Sequence, residues 1–127
     1  VDALTQEQLK DALARVSYTT DVKTAVENAE FIQENGPENI KIKRSIIAAI
    51  EEFNSTAIIA SSTSGLLISD IAAEAKYPER IVGGHPYNPV HLIPLVELAK
   101  GEKTSDETLQ KAKEFYESIG KVPVILQ

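Results

Sequence analysis

His85 and His91 are the only two histidines in the chain, and imidazole is the side chain that ordinarily exchanges a proton near neutral pH. His85 stands in Gly83-Gly84-His85-Pro86-Tyr87-Asn88-Pro89, just after a short apolar run. Glu97 follows in Pro94-Leu95-Val96-Glu97-Leu98, inside the next one. If the intervening loop returns the chain, the Glu97 carboxylate can hydrogen-bond one ring nitrogen, favour the charged ring and leave the other nitrogen for a substrate hydroxyl. Spacing alone leaves a structural histidine and a satisfied half-buried carboxylate standing beside that reading. A metal site built from His85, His91 and Glu97 matches no usual ligand spacing.

Two further polar clusters follow apolar runs. Ser61-Ser62-Thr63-Ser64-Gly65 comes after Thr56-Ala57-Ile58-Ile59-Ala60, and Gln33-Glu34-Asn35-Gly36-Pro37-Glu38 comes after a short strand-like segment. In open parallel sheets ligands bind at the carboxyl ends of strands, so the three clusters are expected on one rim. Each also has a plainer reading. The serine-rich turn is a strand-to-helix connection with hydroxyl caps. Asn88 is a loop amide serving nearby backbone, and Glu38 and Lys43 are solvated helix charges. The turn lacks the G-x-S-x-G elbow of a serine hydrolase.

The elements that must position these groups follow from periodicity. Thr5 and Gln8 have capping-box spacing, and Leu9, Ala12, Leu13 and Val16 form one stripe of a helix over 5–16. Asp21 caps a brief helix with Val22, Ala25, Val26 and Ala29 inward, and 30–34 reads as a strand. A helix opens at Pro37 and runs to Phe53 with Ile42, Ile46, Ile50 and Phe53 on its buried face. Residues 56–60 form a strand buried on both faces, and a helix from the serine turn reaches Ala75. A strand is expected at 80–84, and a proline-studded loop over 86–94 leads to the apolar segment 95–98. A helix with a Thr104–Glu107 capping box buries Leu109, Ala112, Tyr116 and Ile119 and stops at Gly120, and a strand at 122–126 follows. Alternating strands and helices predict an α/β fold with a mostly parallel sheet flanked by helices.

Composition narrows the function classes. The chain has 127 residues, 43% apolar and 25% charged, as expected of one folded domain. A net charge of -6 with no basic stripe argues against nucleic acid. No apolar run is long enough for a membrane span, and no signal peptide is visible. Cysteine is absent, which excludes thiolate chemistry and agrees with a cytoplasmic setting. No G-x-G-x-x-G occurs, and Val1-Asp2-Ala3-Leu4 precedes the first helix with no strand before it. Residues 1–127 are therefore read as one partial dinucleotide-binding domain, not expected to be stable alone.

Three segments together carry a resemblance: Ser61-Ser62-Thr63-Ser64-Gly65, then Gly84-His85-Pro86-Tyr87-Asn88-Pro89 with Pro94-Leu95-Val96-Glu97-Leu98, and upstream Glu34-Asn35-Gly36-Pro37-Glu38-Asn39-Ile40-Lys41-Ile42-Lys43. In order and spacing the chain resembles the 3-hydroxyacyl-CoA dehydrogenase family, over essentially its whole length. The resemblance implies the second half of a Rossmann-type NAD-binding domain and oxidation of an L-3-hydroxyacyl-CoA or related 3-hydroxy acid. By the same resemblance His85 takes the hydroxyl proton and Glu97 supports its charged form. Ser64 and Asn88 contact substrate and cofactor, while Glu38 and Lys43 lie by the NAD. The family's glycine fingerprint and ribose-reading acid precede such a segment, and an all-helical domain that completes the cleft and the homodimer follows it. The segment by itself is expected to be inactive. The family commonly reads Ser-Asn-Thr-Ser-Ser and His-Phe-Phe-Asn-Pro; Ser62, Gly65, Pro86 and Tyr87 depart from that and resemble the L-carnitine and L-gulonate (lambda-crystallin) dehydrogenase branch. The substrate is expected to be a small molecule, either a CoA thioester or a free 3-hydroxy acid. An inactive protein reusing the scaffold is the alternative from another class.

Overall fold

The computed structural model describes residues 4–127; Val1–Ala3 of the opening segment lie outside the described residues. Five strands form one sheet in chain order: β1 Phe31–Glu34, β2 Ile58–Ser61, β3 Ile81–Pro86, β4 Leu95–Lys100 and β5 Val122–Ile125. β1, β2 and β3 are mutually parallel, β4 is antiparallel to β3, and β5 is parallel to β4. The sheet is thus mostly parallel, as the alternation of elements predicts. The reversal at β4 follows from the connection, since a short proline-bearing loop can join only antiparallel neighbours.

Alternation along each strand divides the core in two. On one face Ile59 and Ile81 pack with Val26 of α2 (Val22–Val26), Ile47 and Ile50 of α3 (Ile40–Glu51), and Ile68 and Ile71 of α4 (Ile68–Ile71). On the other, Ala60, Val82, Val96 and Leu98 pack with Ala112 and Tyr116 of α5 (Asp106–Ser118). Gly84 lets α5 come close: a Cβ there would collide with the Tyr116 hydroxyl and stand 3.0 Å from the Ala60 Cβ.

Several helix expectations are corrected. α1 (Gln6–Ala14) has the Thr5–Gln8 capping box but no buried residue, and Leu9, Leu13 and Val16 are exposed. In α2 only Val26 is buried, while Val22 and Ala25 face solvent. α3 starts at Ile40 because the Asn39 side chain accepts from Lys41 and Ile42 N–H, so Pro37 lies in the preceding loop. Its buried face is Lys43, Ile47, Ile50 and Glu51; Ile42 and Phe53 are exposed. Lys43 inside that face is what periodicity of apolar residues alone could not reveal. α4 is a single turn and does not reach Ala75, although Ala72 and Ala75 still pack on the core. The cap of α5 is Ser105, which accepts from Thr108 N–H at 3.0 Å. Thr104 is buried instead and donates to the Ile81 carbonyl at 2.7 Å. Ile119 is exposed, and Gly120 ends the helix with φ +81, the left-handed conformation favoured after a helix.

Candidate functional site

The site begins at the carboxyl ends of three parallel strands. β1 ends at Glu34, β2 at Ser61 and β3 at Pro86, so the polar residues after each apolar run converge on one rim. His85 lies inside β3, one residue beyond the expected strand. The antiparallel register places it directly opposite Glu97 on β4. Residues paired across strands project to the same face, and the imidazole Nδ1 stands 3.5 Å from the Glu97 Oε2. Both side chains are about three-tenths exposed, at 28% and 29%, so the pair is reachable from solvent yet partly screened.

Tyr87 joins the pair for the same geometric reason. Two residues on from His85, it returns to the same side of the strand, and its hydroxyl donates to Glu97 Oε1 at 2.7 Å. Its ring lies beside the imidazole, centroids 5.1 Å apart and planes at 53°. The hydrogen bond to Glu97, then desolvation, then the carboxylate's charge push the phenol above its ordinary range, so it stays a donor at neutral pH.

Ser64 occupies the loop after β2. Its amide donates to Glu38 Oε2 at 3.0 Å and its hydroxyl to the same oxygen at 3.3 Å, while the Thr63 hydroxyl bonds the other oxygen. The Thr63 hydroxyl, and next the Ser64 amide, hold the Glu38 carboxyl below the usual carboxylate range. Ser64, His85 and Glu97 line one cavity of about 140 Å³, with Gly83, Ala99 and Lys100 beside them and Leu66, Leu67 and Ile68 as its apolar wall.

Below the rim sits a buried ion pair. Lys43 and Glu34 are 1% and 2% exposed. The Lys43 ammonium donates to Glu34 Oε1 at 3.1 Å, to Oε2 at 2.9 Å and to the Gly36 carbonyl at 3.0 Å. Glu34 also accepts from the Ser61 hydroxyl at 2.6 Å and the Gly36 amide at 2.5 Å. Every hydrogen of the ammonium is therefore used within the protein. On the opposite face Gln33 donates to the Gly84 carbonyl at 2.9 Å and accepts from Tyr116, whose hydroxyl burial pushes upward.

The structure thus brings Ser64, His85 and Glu97 together, with Glu38 behind Ser64. Asn88 is exposed in the loop after β3, ahead of the cis Asn88–Pro89 bond, and does not line the cavity. Lys43 is not a surface charge, and it meets the site only through Glu34 and Gly36. Glu34, Ser61, Thr63 and Tyr87 contribute without having been singled out as site residues. A carboxylate closing an apolar strand, and an aromatic hydroxyl two residues after His85, were the available signals. The Ser64 hydroxyl donates to Glu38 at 3.3 Å and keeps its lone pairs free, so its oxygen and the carboxylate beside it suit the NH2 of a carboxamide such as that of nicotinamide. Lys43 does not fit a direct contact. Among the described residues no group of three or more His, Asp or Glu is placed to hold a metal ion, and no helix is long and apolar enough to cross a membrane.

Comparison with known proteins identifies the family. Residues 2–127 match the family model for the 3-hydroxyacyl-CoA dehydrogenase NAD binding domain. The L-carnitine dehydrogenase of Bacillus cereus is 46% identical over 113 residues, covering 88% of this chain and 35% of that protein. The crystal structure of 5-formyl-3-hydroxy-2-methylpyridine 4-carboxylic acid 5-dehydrogenase, an NAD+ dependent dismutase, is 41% identical with TM-score 0.82, covering 86% of this chain and 36% of that one. The 3-hydroxybutyryl-CoA dehydrogenase of Escherichia coli is 33% identical with TM-score 0.92, covering 96% of this chain and 26% of that one. The chain therefore spans about a third or less of the length of these relatives.

Proposed function

The chain belongs to the 3-hydroxyacyl-CoA dehydrogenase family, as part of its NAD-binding domain, and from that premise we propose that the full-length protein oxidises the 3-hydroxyl of a small free hydroxy acid of the L-carnitine kind. The observation that carries the reading is the cross-strand pairing of His85 with Glu97 at a cavity shared with Ser64.

NAD, when bound, supplies the hydride acceptor. His85 Nδ1 faces Glu97, which leaves Nε2 for the substrate hydroxyl. As the C3–H bond gives up its electron pair as hydride, the O–H proton passes to Nε2 and the carbon–oxygen double bond forms. Glu97 offsets the charge that the ring acquires. The Ser64 amide, bonded to Glu38, anchors the loop, and the Ser64 hydroxyl hydrogen, turning from Glu38 to the substrate oxygen as substrate enters, fixes C3 in reach, an orienting role. Glu38 and Ser64 would meet the nicotinamide carboxamide, and Asn88, outside the cavity, would reach the cofactor from the loop after β3. Lys43 supports that rim from below through Glu34.

The choice of a free acid rests on Pro86-Tyr87 and Gly65, and on the 46% identity to a protein named L-carnitine dehydrogenase. A CoA thioester is the second reading, favoured by the close backbone match to 3-hydroxybutyryl-CoA dehydrogenase. The test is NADH formation by the full-length protein with L-carnitine, L-gulonate and 3-hydroxybutyryl-CoA. Turnover of carnitine or gulonate without the thioester supports the proposal, and turnover of the thioester alone overturns it. Dimerisation of the full-length protein is part of the same proposal, read by sedimentation.

A further inference from the structure

Glu97 is shared between two partners, and the closer one is not the histidine. Its Oε1 receives the Tyr87 hydroxyl at 2.7 Å, while its Oε2 is 3.5 Å from His85 Nδ1. The first distance is a full hydrogen bond; the second is a charge contact with little hydrogen-bond character. We infer that Tyr87 is a positioning residue that sets the proton affinity of His85, by tying down Glu97 Oε1 so that the carboxylate meets the imidazole with one oxygen at arm's length. The inference rests on the His85–Glu97 reading above and deepens it.

The effect is transmitted by the shared carboxylate. A phenol O–H donating to Oε1 stabilises the carboxylate's charge, which weakens its pull on an imidazolium. A histidine that cycles its proton at each turnover needs that moderation, because too close an ion pair would trap it in the charged form. Among the described residues no other group around the ring has the same leverage. On β4, Lys100 reaches the cavity wall but its ammonium is paired with Asp106. Glu38 is engaged by Thr63 and Ser64. The segment leading into α4 presents Leu66, Leu67 and Ile68, none of which titrates. The phenol ring also stands beside the imidazole, centroids 5.1 Å apart.

Tyr87→Phe keeps the ring and removes only the donor, so the fold is not at stake. The measurement is the pH titration of the His85 ring signal by NMR in the full-length protein, assigned by its loss in His85→Asn. The expected result is a titration midpoint raised by about half a pH unit, roughly threefold in proton affinity. The acid limb of the kcat/KM profile should move the same way, with kcat falling severalfold and KM changing less. A midpoint that stays in place or falls overturns the inference. A second variant tests the route: with Glu97→Gln already present, Tyr87→Phe should no longer move the His85 signal. A shift that persists there would mean the phenol acts on the ring without Glu97, which also overturns it. The underlying dehydrogenase reading fails separately, if His85→Asn leaves NADH formation intact.

Discussion

At the scale of single residues the site divides into groups that would touch the reacting atoms and groups that hold them. His85 and Ser64 are of the first kind; Glu97, Glu38 and Tyr87 are of the second, Glu97 lining the cavity beside His85, Glu38 holding Ser64 and Tyr87 holding Glu97. In the full-length protein Glu97→Gln keeps the shape of the side chain but removes the charge that answers an imidazolium. It should lower kcat by about 10- to 100-fold while leaving NAD affinity nearly unchanged. Ser64→Ala should cost less than His85→Asn, since orientation survives in part when one hydroxyl is lost. Steady-state kinetics beside NADH-binding titrations check both. An unchanged kcat in Glu97→Gln would make the pairing purely structural.

At the scale of elements, the ion pair of β1 and α3 is the strut beneath the rim. Glu34 accepts from Lys43, Ser61 and Gly36 at once, so it joins the last residue of β1, the last residue of β2 and the loop that carries Glu38. Lys43→Met removes the cation and leaves a carboxylate buried without its counter-charge, a change that costs about 3–5 kcal/mol in comparable pairs. The expected outcome is a fall in the urea midpoint corresponding to that range. The paired change Lys43→Met with Glu34→Gln should recover part of it, because no unmatched charge then remains. If Lys43→Met alone left the midpoint in place, Glu34 would have to be satisfied by its other donors. Through the same strut Lys43, expected beside the cofactor, holds the loop that carries Glu38.

For the whole molecule the informative surfaces are the uncovered ones. Leu9 and Leu13 of α1 and Val16 after it stand exposed, as do Val122, Val124, Ile125 and Leu126 around β5. Among the described residues β1 and β5 each pair with one neighbour only. Open strand edges and apolar faces favour association. The isolated 127-residue chain is expected to self-associate at micromolar concentration and to show no saturable NADH fluorescence change, read by sedimentation velocity and by titration. A soluble monomer that binds NADH would show instead that the rim residues alone suffice for the cofactor.

What could be read without coordinates was whatever local pattern and motif spacing carry. Alternating apolar runs and helical segments determined the α/β class and the mostly parallel sheet. The polar clusters after Ala60 and before Asn88 marked the rim, and the motif around His85 with Glu97 downstream pointed to the family. Helix faces were less legible. Ile42 and Phe53 have the right spacing for a buried stripe, yet α3 turns Lys43 inward, because a lysine can be enclosed once a carboxylate and a carbonyl saturate its three hydrogens. Only the tertiary structure decided that Glu97 lies opposite His85, since strand register depends on how a loop closes rather than on the residues in the strands. It likewise decided that Tyr87 holds the other Glu97 oxygen, a contact that period-two alternation permits and that the β3–β4 pairing creates.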